Sequence, residues 1–505
     1  MPDNGKKVLL ISPPSRVFNH YRPPLALMYL AGYLKKNNIA AKIIDVILHN
    51  QVRDKEFLRN KDQYRKHIEE ETVARVVNEC TDIVGITCYT PELGEVETLA
   101  KRIKSARPDI TVIVGGVHAT LYPEQFLRES SSFDYVVIGE GEVTLLELIS
   151  TIRSNVGNSG IVQGIAYYDK NLRQIVKTGM RPLMENIDDI AFPDYEDLDM
   201  KYYTTASPYA IRGVFTRSFY ISSSRGCPSS CTFCVSKKLR EYHGIKHYAR
   251  LRSPQSLFNE IRMLREKYSI DSFYFIDDLF TLRRDNVVKF CELLQNSGLS
   301  LIWGCSSKVN TVDYETLKVM RDSGCVQIDF GVEKGSDAML AKVKKGITLA
   351  QIVQTFHNCH QLGIRTFANV LVNTPDEKEE DLNDIVSLLE KIRPTIVSAN
   401  IFTPYPGCEI FDELCDSVSR EDYALLMEDP AELVKQHPEK FRFSIHFIDI
   451  RRWTGEVMQR FNTFSANACF FVDRRYLRSI FHSRCKFDYI KQSGLLVREY
   501  INQKM

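Results

Sequence analysis

Two stretches of this chain alternate short apolar runs with longer amphipathic segments. That alternation restricts the fold to parallel β/α units. In the first, residues 1–155, Val8–Ile11, Lys42–Val46, Asp82–Thr87, Ile110–Val114 and Tyr135–Ile138 read as strands. Helices are expected over Leu25–Lys36, across most of the charged stretch 52–79, and at 92–106 and 143–152. Ligands of such sheets bind beyond the carboxyl ends of the strands. Two glycine-bearing loops, 115–120 and 139–142, fall at such ends, where each reads either as a ligand loop or as a plain tight turn. Neither is a G-x-G-x-x-G fingerprint, and no P-loop pattern occurs in the chain.

Residues 156–215 are short-spaced and turn-rich, and read as an ordered linker with a hairpin strand at Gly164–Tyr168. The alternation resumes over 216–417, with strands expected at Phe219–Ser222, Ser272–Ile276, Leu301–Cys305, Gln327–Gly331, Thr366–Val372 and Val397–Phe402. Helices are expected between them, at 254–268, 284–297 and 313–323 among others. Six such units are too few for a closed eight-fold barrel and suit an open, partial one. The last segment, 418–505, is helix-rich and aromatic. Lys plus Arg (66) nearly balance Asp plus Glu (64), which argues against a dedicated nucleic-acid binder and against wholesale disorder. No run of about 18 apolar residues is present, and the N-terminus does not read as a signal peptide. The thirteen cysteines are therefore expected in a reducing cytoplasm without a disulfide framework.

One cysteine cluster departs from the irregular spacing of the rest. Arg225-Gly226-Cys227-Pro228-Ser229-Ser230-Cys231-Thr232-Phe233-Cys234 follows the first strand of the second stretch and has the spacing C-x3-C-x2-C. Three thiolates this close can surround a soft metal centre. A zinc site wants a fourth ligand, for which His243 and His247 are the nearby candidates. A 4Fe–4S cluster held by three cysteines instead keeps one iron open to a small molecule. The other ten cysteines read as core residues.

The loop resembles that of the radical S-adenosylmethionine (SAM) enzymes, with an aromatic residue, Phe233, before its last cysteine. The resemblance implies a partial (β/α)6 barrel and a 4Fe–4S cluster on Cys227, Cys231 and Cys234. It also implies SAM chelated at the free iron and cleaved to a 5′-deoxyadenosyl radical. Further segments match. Phe275–Thr281 carries Asp277 and Asp278 where the family holds the SAM amino group, and an ammonium suits a carboxylate; an Asp pair capping the next helix is the alternative. Gly331–Ser336 places Glu333 where a carboxylate reaches the ribose, with a surface turn as the alternative. Ser306, Lys308 and Asn369 are further SAM-contact candidates, although relatives carry Arg at the position of Lys308 and Gly at those of Asn369 and Asn373.

The first stretch resembles the Rossmann-like cobalamin-binding domain of cobalamin-dependent radical SAM enzymes, through Pro23–Leu34, Gly115–Thr120 and Gly139–Glu142. The cobalamin contacts so implied are Tyr89, Thr90, Gly115, Gly116, His118, Ala119, Gly139, Glu140, Gly141 and Glu142. The D-x-H-x-x-G motif that supplies a cobalt-ligating histidine in another cobalamin fold is absent, so base-off cobalamin without a histidine ligand is expected.

The fold expected is thus α/β: a cobalamin domain (1–155), a linker (156–215), a radical SAM partial barrel (216–417) and a helical C-terminal region (418–505). The function expected is C-methylation of an unactivated carbon, with a non-methylating cyclisation or rearrangement as the alternative and an Fe–S electron carrier or redox sensor as the different class. Expected partners are a small-molecule or peptide substrate and an external electron donor of flavodoxin or ferredoxin type, with no nucleic acid, no transmembrane segment and a monomeric state. In the tail, Trp453, Phe461, Phe464, Phe470 and Phe471 read as core or as an apolar substrate path. Arg451, Arg452, Arg474, Arg475 and Arg478 read as a solvated face or as a contact for an acidic partner.

Overall fold

The computed structural model describes residues 6–14, 22–46, 61–154, 161–244, 248–402, 405–414, 447–462, 474–486, 489 and 491. The chain divides into two compact units, one built chiefly on residues 1–200 and the other on most of the remainder.

The first unit holds a seven-stranded sheet: β1 (Lys7–Ile11), β2 (Ala41–Ile44), β3 (Thr81–Thr87), β4 (Thr111–Gly115), β5 (Tyr135–Val137), β6 (Ile165–Asp169) and β7 (Gln174–Lys177). The order is β2-β1-β3-β4-β5-β6-β7. The first five are parallel, and β6 and β7 join antiparallel. The order reverses between β1 and β3, and that switch point opens a crevice at the carboxyl ends where this class of sheet binds ligands. Helices α1 (Leu25–Lys36), α2 (Lys61–Asn78) and α3 (Leu93–Ala106) form crossovers between parallel strands, and α4 (Gly141–Arg153) joins β5 to β6. Leu27, Met28, Ala31 and Leu34 of α1 recur at helical spacing and are all buried. Residues 52–60 of the charged stretch lie outside the described residues, and the second strand ends at Ile44, two residues short of expectation.

The stretch expected to be a linker carries the last two strands of this sheet. β5 is only three residues long, and its outer edge would present bare backbone groups. The hairpin satisfies that edge, with Val137 opposite Ile165 and Tyr135 opposite Tyr167.

The second unit contains six parallel strands in sequence order: β8 (Ser218–Ile221), β11 (Ser272–Phe275), β12 (Ile302–Ser307), β13 (Cys325–Glu333), β14 (Arg365–Val372) and β15 (Ile396–Ile401). Two two-residue strands, β9 (Ser224–Arg225) and β10 (Arg250–Leu251), pair antiparallel beside β8. Helices α5 (Ser236–His243), α6 (Pro254–Tyr268), α7 (Arg284–Asn296), α8 (Tyr314–Asp322), α9 (Leu349–Gln361) and α10 (Glu379–Ile392) alternate with the strands. The helix-facing side is aromatic: Phe273 stacks on Trp303 and Phe275 on Phe280, with Phe290 of α7 edge-on to all four. Each such pair adds roughly 0.5–1.5 kcal/mol beyond area burial.

The opposite face of the same strands is polar. Ser218 meets Ser272 (2.5 Å), Tyr274 meets Ser306 (3.1 Å), Gln327 donates to Asp329 (2.8 Å), and Arg365 donates to Gln327 (3.2 Å). Strands of a sheet buried on both faces normally read as near-continuous apolar runs. Here the alternation puts apolar side chains toward the helices and hydrogen-bonded polar ones on the inner face.

Beyond the barrel, α11 (Phe447–Phe461) lies along β15, and Asn462 pairs its side-chain amide with Val397 N–H and C=O, covering the sheet edge. Helix α12 (Arg474–Phe481) is tied to the amino ends of the strands. Arg475 donates to Cys325 O and Gly363 O, Ser479 to Asp271 O, and Tyr476 to Phe215 O. Arg475 is thus a structural tie, whereas Arg474 and Arg478 are exposed, as are Arg451 and Arg452. Trp453 and Phe461 are half-buried, and Phe464, Phe470 and Phe471 lie outside the described residues.

Candidate cofactor sites

The cysteine loop leaves the carboxyl end of β8 and is braced by the protein itself. Asp277, which follows β11, is buried with its carboxylate pointing back at the residues before the loop. Ser223 N–H donates to both of its oxygens (2.8 Å each). Ser224 N–H (2.8 Å), Ser223 Oγ (2.5 Å) and Ser222 Oγ (3.2 Å) complete the set. On the far side, Arg240 of α5 donates to Pro228 O (2.6 Å) and to Ser230 Oγ (2.9 Å). Asp277 is therefore tied to the residues that start the loop. Its neighbour Asp278 is exposed, and its charge acts on Cys234.

Cys227, Cys231 and Cys234 are all free thiols. Burial pushes the Cys231 thiol up, and the ammonium of Lys345 pulls it down. Burial also raises Cys234, against a hydrogen bond to Ser236 Oγ (3.4 Å). Lys345 is 12% exposed, as is its partner Glu333 (Nζ–Oε1 2.8 Å), and it stands 5.9 Å from the centre of the Phe233 ring. Glu333 ends β13 with a left-handed backbone (φ 63°), just after a bulge in its pairing with β14. A left-handed glutamate costs of order 1–3 kcal/mol and persists where surrounding structure enforces it. Gly331 leaves room for this pair, since a Cβ there would displace the ends of the Glu333 and Lys345 side chains. Oε2 of Glu333 has no partner among the described residues, and neither does the half-buried ammonium of Lys308. Burial lowers the Lys308 pKa, against the charges of Cys231 and Cys227, which act to raise it. Ser306 and Asn369 are half-buried on the same inner face.

In the first unit, the loops after β3 and β4 interlock. Gly116 (φ 101°) abuts the backbone of Cys88, and any Cβ there would lie 2.7 Å from Cys88 O. His118, fully buried, holds both ring nitrogens in hydrogen bonds: Nδ1 with Thr90 Oγ1 (3.0 Å) and Nε2 with Gln125 Oε1 (3.0 Å). Ala119 is buried beneath it, and Tyr89 is 46% exposed at the loop tip. Thr120 Oγ1 accepts from Gly139 N–H (3.0 Å), linking Gly115–Thr120 to the loop after β5. Glu140 precedes α4, Gly141 fits against Leu30, and Glu142 is buried.

Residues 15–149 match the B12 binding domain family and residues 221–389 the Radical SAM superfamily. The chain is 30% identical, over 80% of its length and 82% of the relative, to an uncharacterized methyltransferase of Pyrococcus horikoshii. The chain belongs to the cobalamin-dependent radical SAM enzymes. It is also 29% identical, over 79% of its length and 68% of the relative, to an anaerobic magnesium-protoporphyrin IX monomethyl ester cyclase of Rubrivivax gelatinosus. Its fold matches the radical SAM methyltransferase TsrM of Kitasatospora setae, solved with cobalamin and a [4Fe-4S] cluster, at a TM-score of 0.60 and 17% identity, over 84% of this chain and 81% of that one.

The cofactors of a cobalamin-dependent radical SAM enzyme are a 4Fe–4S cluster, SAM and cobalamin, and the donor sets present fit them. Among the described residues no three His, Cys, Asp or Glu side chains converge on one ion. In a cubane each cysteine holds its own iron, so the three sulfurs need not converge. His247, one of the two zinc candidates, lies outside the described residues. Lys345 is the site residue that the sequence reading passed over. It lies in a turn between two helices, where the left-handed Lys344 and Gly346 on either side turn it inward.

Proposed function

We infer that this enzyme transfers a methyl group to a carbon of a small-molecule or peptide substrate. The observation that carries the reading is the three-thiol loop beside uncommitted atoms of opposite charge, Glu333 Oε2 and the Lys308 ammonium, in a chain that also has a B12 binding domain. When bound, the cluster supplies the electron that cleaves SAM and methylcobalamin supplies the methyl group.

In this reading Cys227, Cys231 and Cys234 would hold the cluster, leaving one iron available to SAM. Asp278 receives the SAM ammonium, a reading supported by the engagement of both Asp277 oxygens with Ser222–Ser224. Lys308 receives the SAM carboxylate, Glu333 Oε2 the ribose hydroxyls, and Ser306 and Asn369 line the adjoining inner face. In the first unit, Tyr89, Thr90, Gly115–Ala119 and Gly139–Glu142 border the cobalamin. His118 has both nitrogens engaged, which supports cobalt without a histidine ligand. An EPR spectrum with histidine nitrogen coupling to Co(II) would refute that point. The electron comes from a flavodoxin or ferredoxin type donor, and the enzyme works as a cytoplasmic monomer.

The test is product analysis on the reconstituted, reduced enzyme. Methyl transfer yields 5′-deoxyadenosine, S-adenosylhomocysteine and a product heavier by one methylene unit. The cyclase relative motivates the second reading, for which 5′-deoxyadenosine forms without S-adenosylhomocysteine.

A further inference from the structure

Three backbone features converge on one side chain that the reading above does not use. Lys344 (φ 51°) and Gly346 (φ 66°) are both left-handed, so the chain reverses on either side of Lys345. Lys344 turns outward to pair with Glu409, while Lys345 turns in. The absence of a side chain at Gly331 leaves the space its ammonium occupies. There it is held by Glu333 (2.8 Å), packed against Phe233, and close enough to Cys231 and Cys227 for their charges to act on it. An ordinary strap between loop and strand needs neither burial nor proximity to two thiols, and a buried ion pair is weak evidence of added stability.

We propose that Lys345 is a positioning residue whose fixed positive charge sets how readily the cluster held by Cys227, Cys231 and Cys234 accepts its electron, while its bond to Glu333 Oε1 leaves Oε2 to the ribose. The inference rests on the cluster assignment above. Reduction adds one electron from a low-potential donor, with no bond made or broken in the protein and no proton moved. Added negative charge beside a desolvated ammonium is stabilised, and the stabilisation is larger at low local dielectric. Glu333 offsets part of it, so removing either partner moves the potential in opposite directions.

The experiment is an EPR-monitored redox titration of the anaerobically reconstituted full chain without SAM, using dithionite, alongside SAM binding to the oxidised protein. Lys345→Gln is expected to keep its cluster and to titrate at lower potential, by about a tenfold change in the oxidised-to-reduced ratio (about 59 mV for one electron). Lys345→Arg is expected to restore most of the shift. Glu333→Gln is expected to move the potential upward, and both Lys345→Gln and Glu333→Gln to weaken SAM binding several-fold. A Lys345→Gln cluster that titrates with the wild type would overturn the proposal and leave a structural salt bridge. If Lys345→Gln assembles no cluster, Glu333→Gln decides: an unmoved or lowered potential overturns it equally. Absence of a cubane signal in the wild type would instead refute the cluster assignment itself.

Discussion

Two adjacent aspartates with opposite surroundings set the chemistry at the residue scale. Asp277 accepts from four donors of Ser222–Ser224, whereas Asp278 is exposed at the cluster loop. Asp277→Ala leaves those donors without their charged acceptor and is expected to destabilise the second unit by about 3 kcal/mol. Asp278→Ala is expected to leave unfolding unchanged and to weaken SAM binding. Both outcomes are checked by denaturant melts and by calorimetric titration with SAM. Tryptophan fluorescence reports the second unit in those melts, because Trp303 and Trp453 are the chain's two tryptophans. Gly331→Ala pushes a methyl group against the ends of the Glu333 and Lys345 side chains and is expected to lower SAM affinity several-fold, with the fold retained. The pattern of cysteines and the Asp-Asp pair were legible in the sequence. Which aspartate turns inward was not, because burial depends on the strand before it and on a serine run more than fifty residues away.

Elements were legible wherever periodicity was unbroken. Helix α1 occupies Leu25–Lys36, and every barrel strand lies within two residues of its expected place. The hairpin β6–β7 was read as part of a linker because its membership in the sheet depends on the short edge of β5, which is a tertiary fact. The ties of the C-terminal region were also hidden. Tyr489 donates to Asp271 Oδ2 (2.8 Å), where Ser483 Oγ (2.6 Å) and Arg265 also converge on the fully buried carboxylate. Tyr489→Phe removes one of those donors and is expected to cost about 1–2 kcal/mol in the same fluorescence-detected melts, with SAM binding intact.

For the whole molecule, the near-balance of charge fits ligands held in sites rather than a polyanion, and no described helix is long and apolar enough to cross a membrane. The two cofactor sites belong to separate compact units with their own cores. Cys231→Ala is therefore expected to abolish SAM cleavage while the cobalamin absorption spectrum of the purified protein is retained. Loss of both together would show that the units do not fold independently of the cluster. The Asp277 anchor bears on how the holoenzyme is made. The start of the cysteine loop is fastened by a carboxylate of the next strand and its far side by Arg240, so iron is not needed to hold the loop near the barrel. Those hydrogen bonds take up part of the loop's ordering entropy when the chain folds. Maturation can then run in two stages, a folded apoprotein first and sulfide and iron delivered afterwards, and a cluster lost to oxygen can be replaced without unfolding the chain.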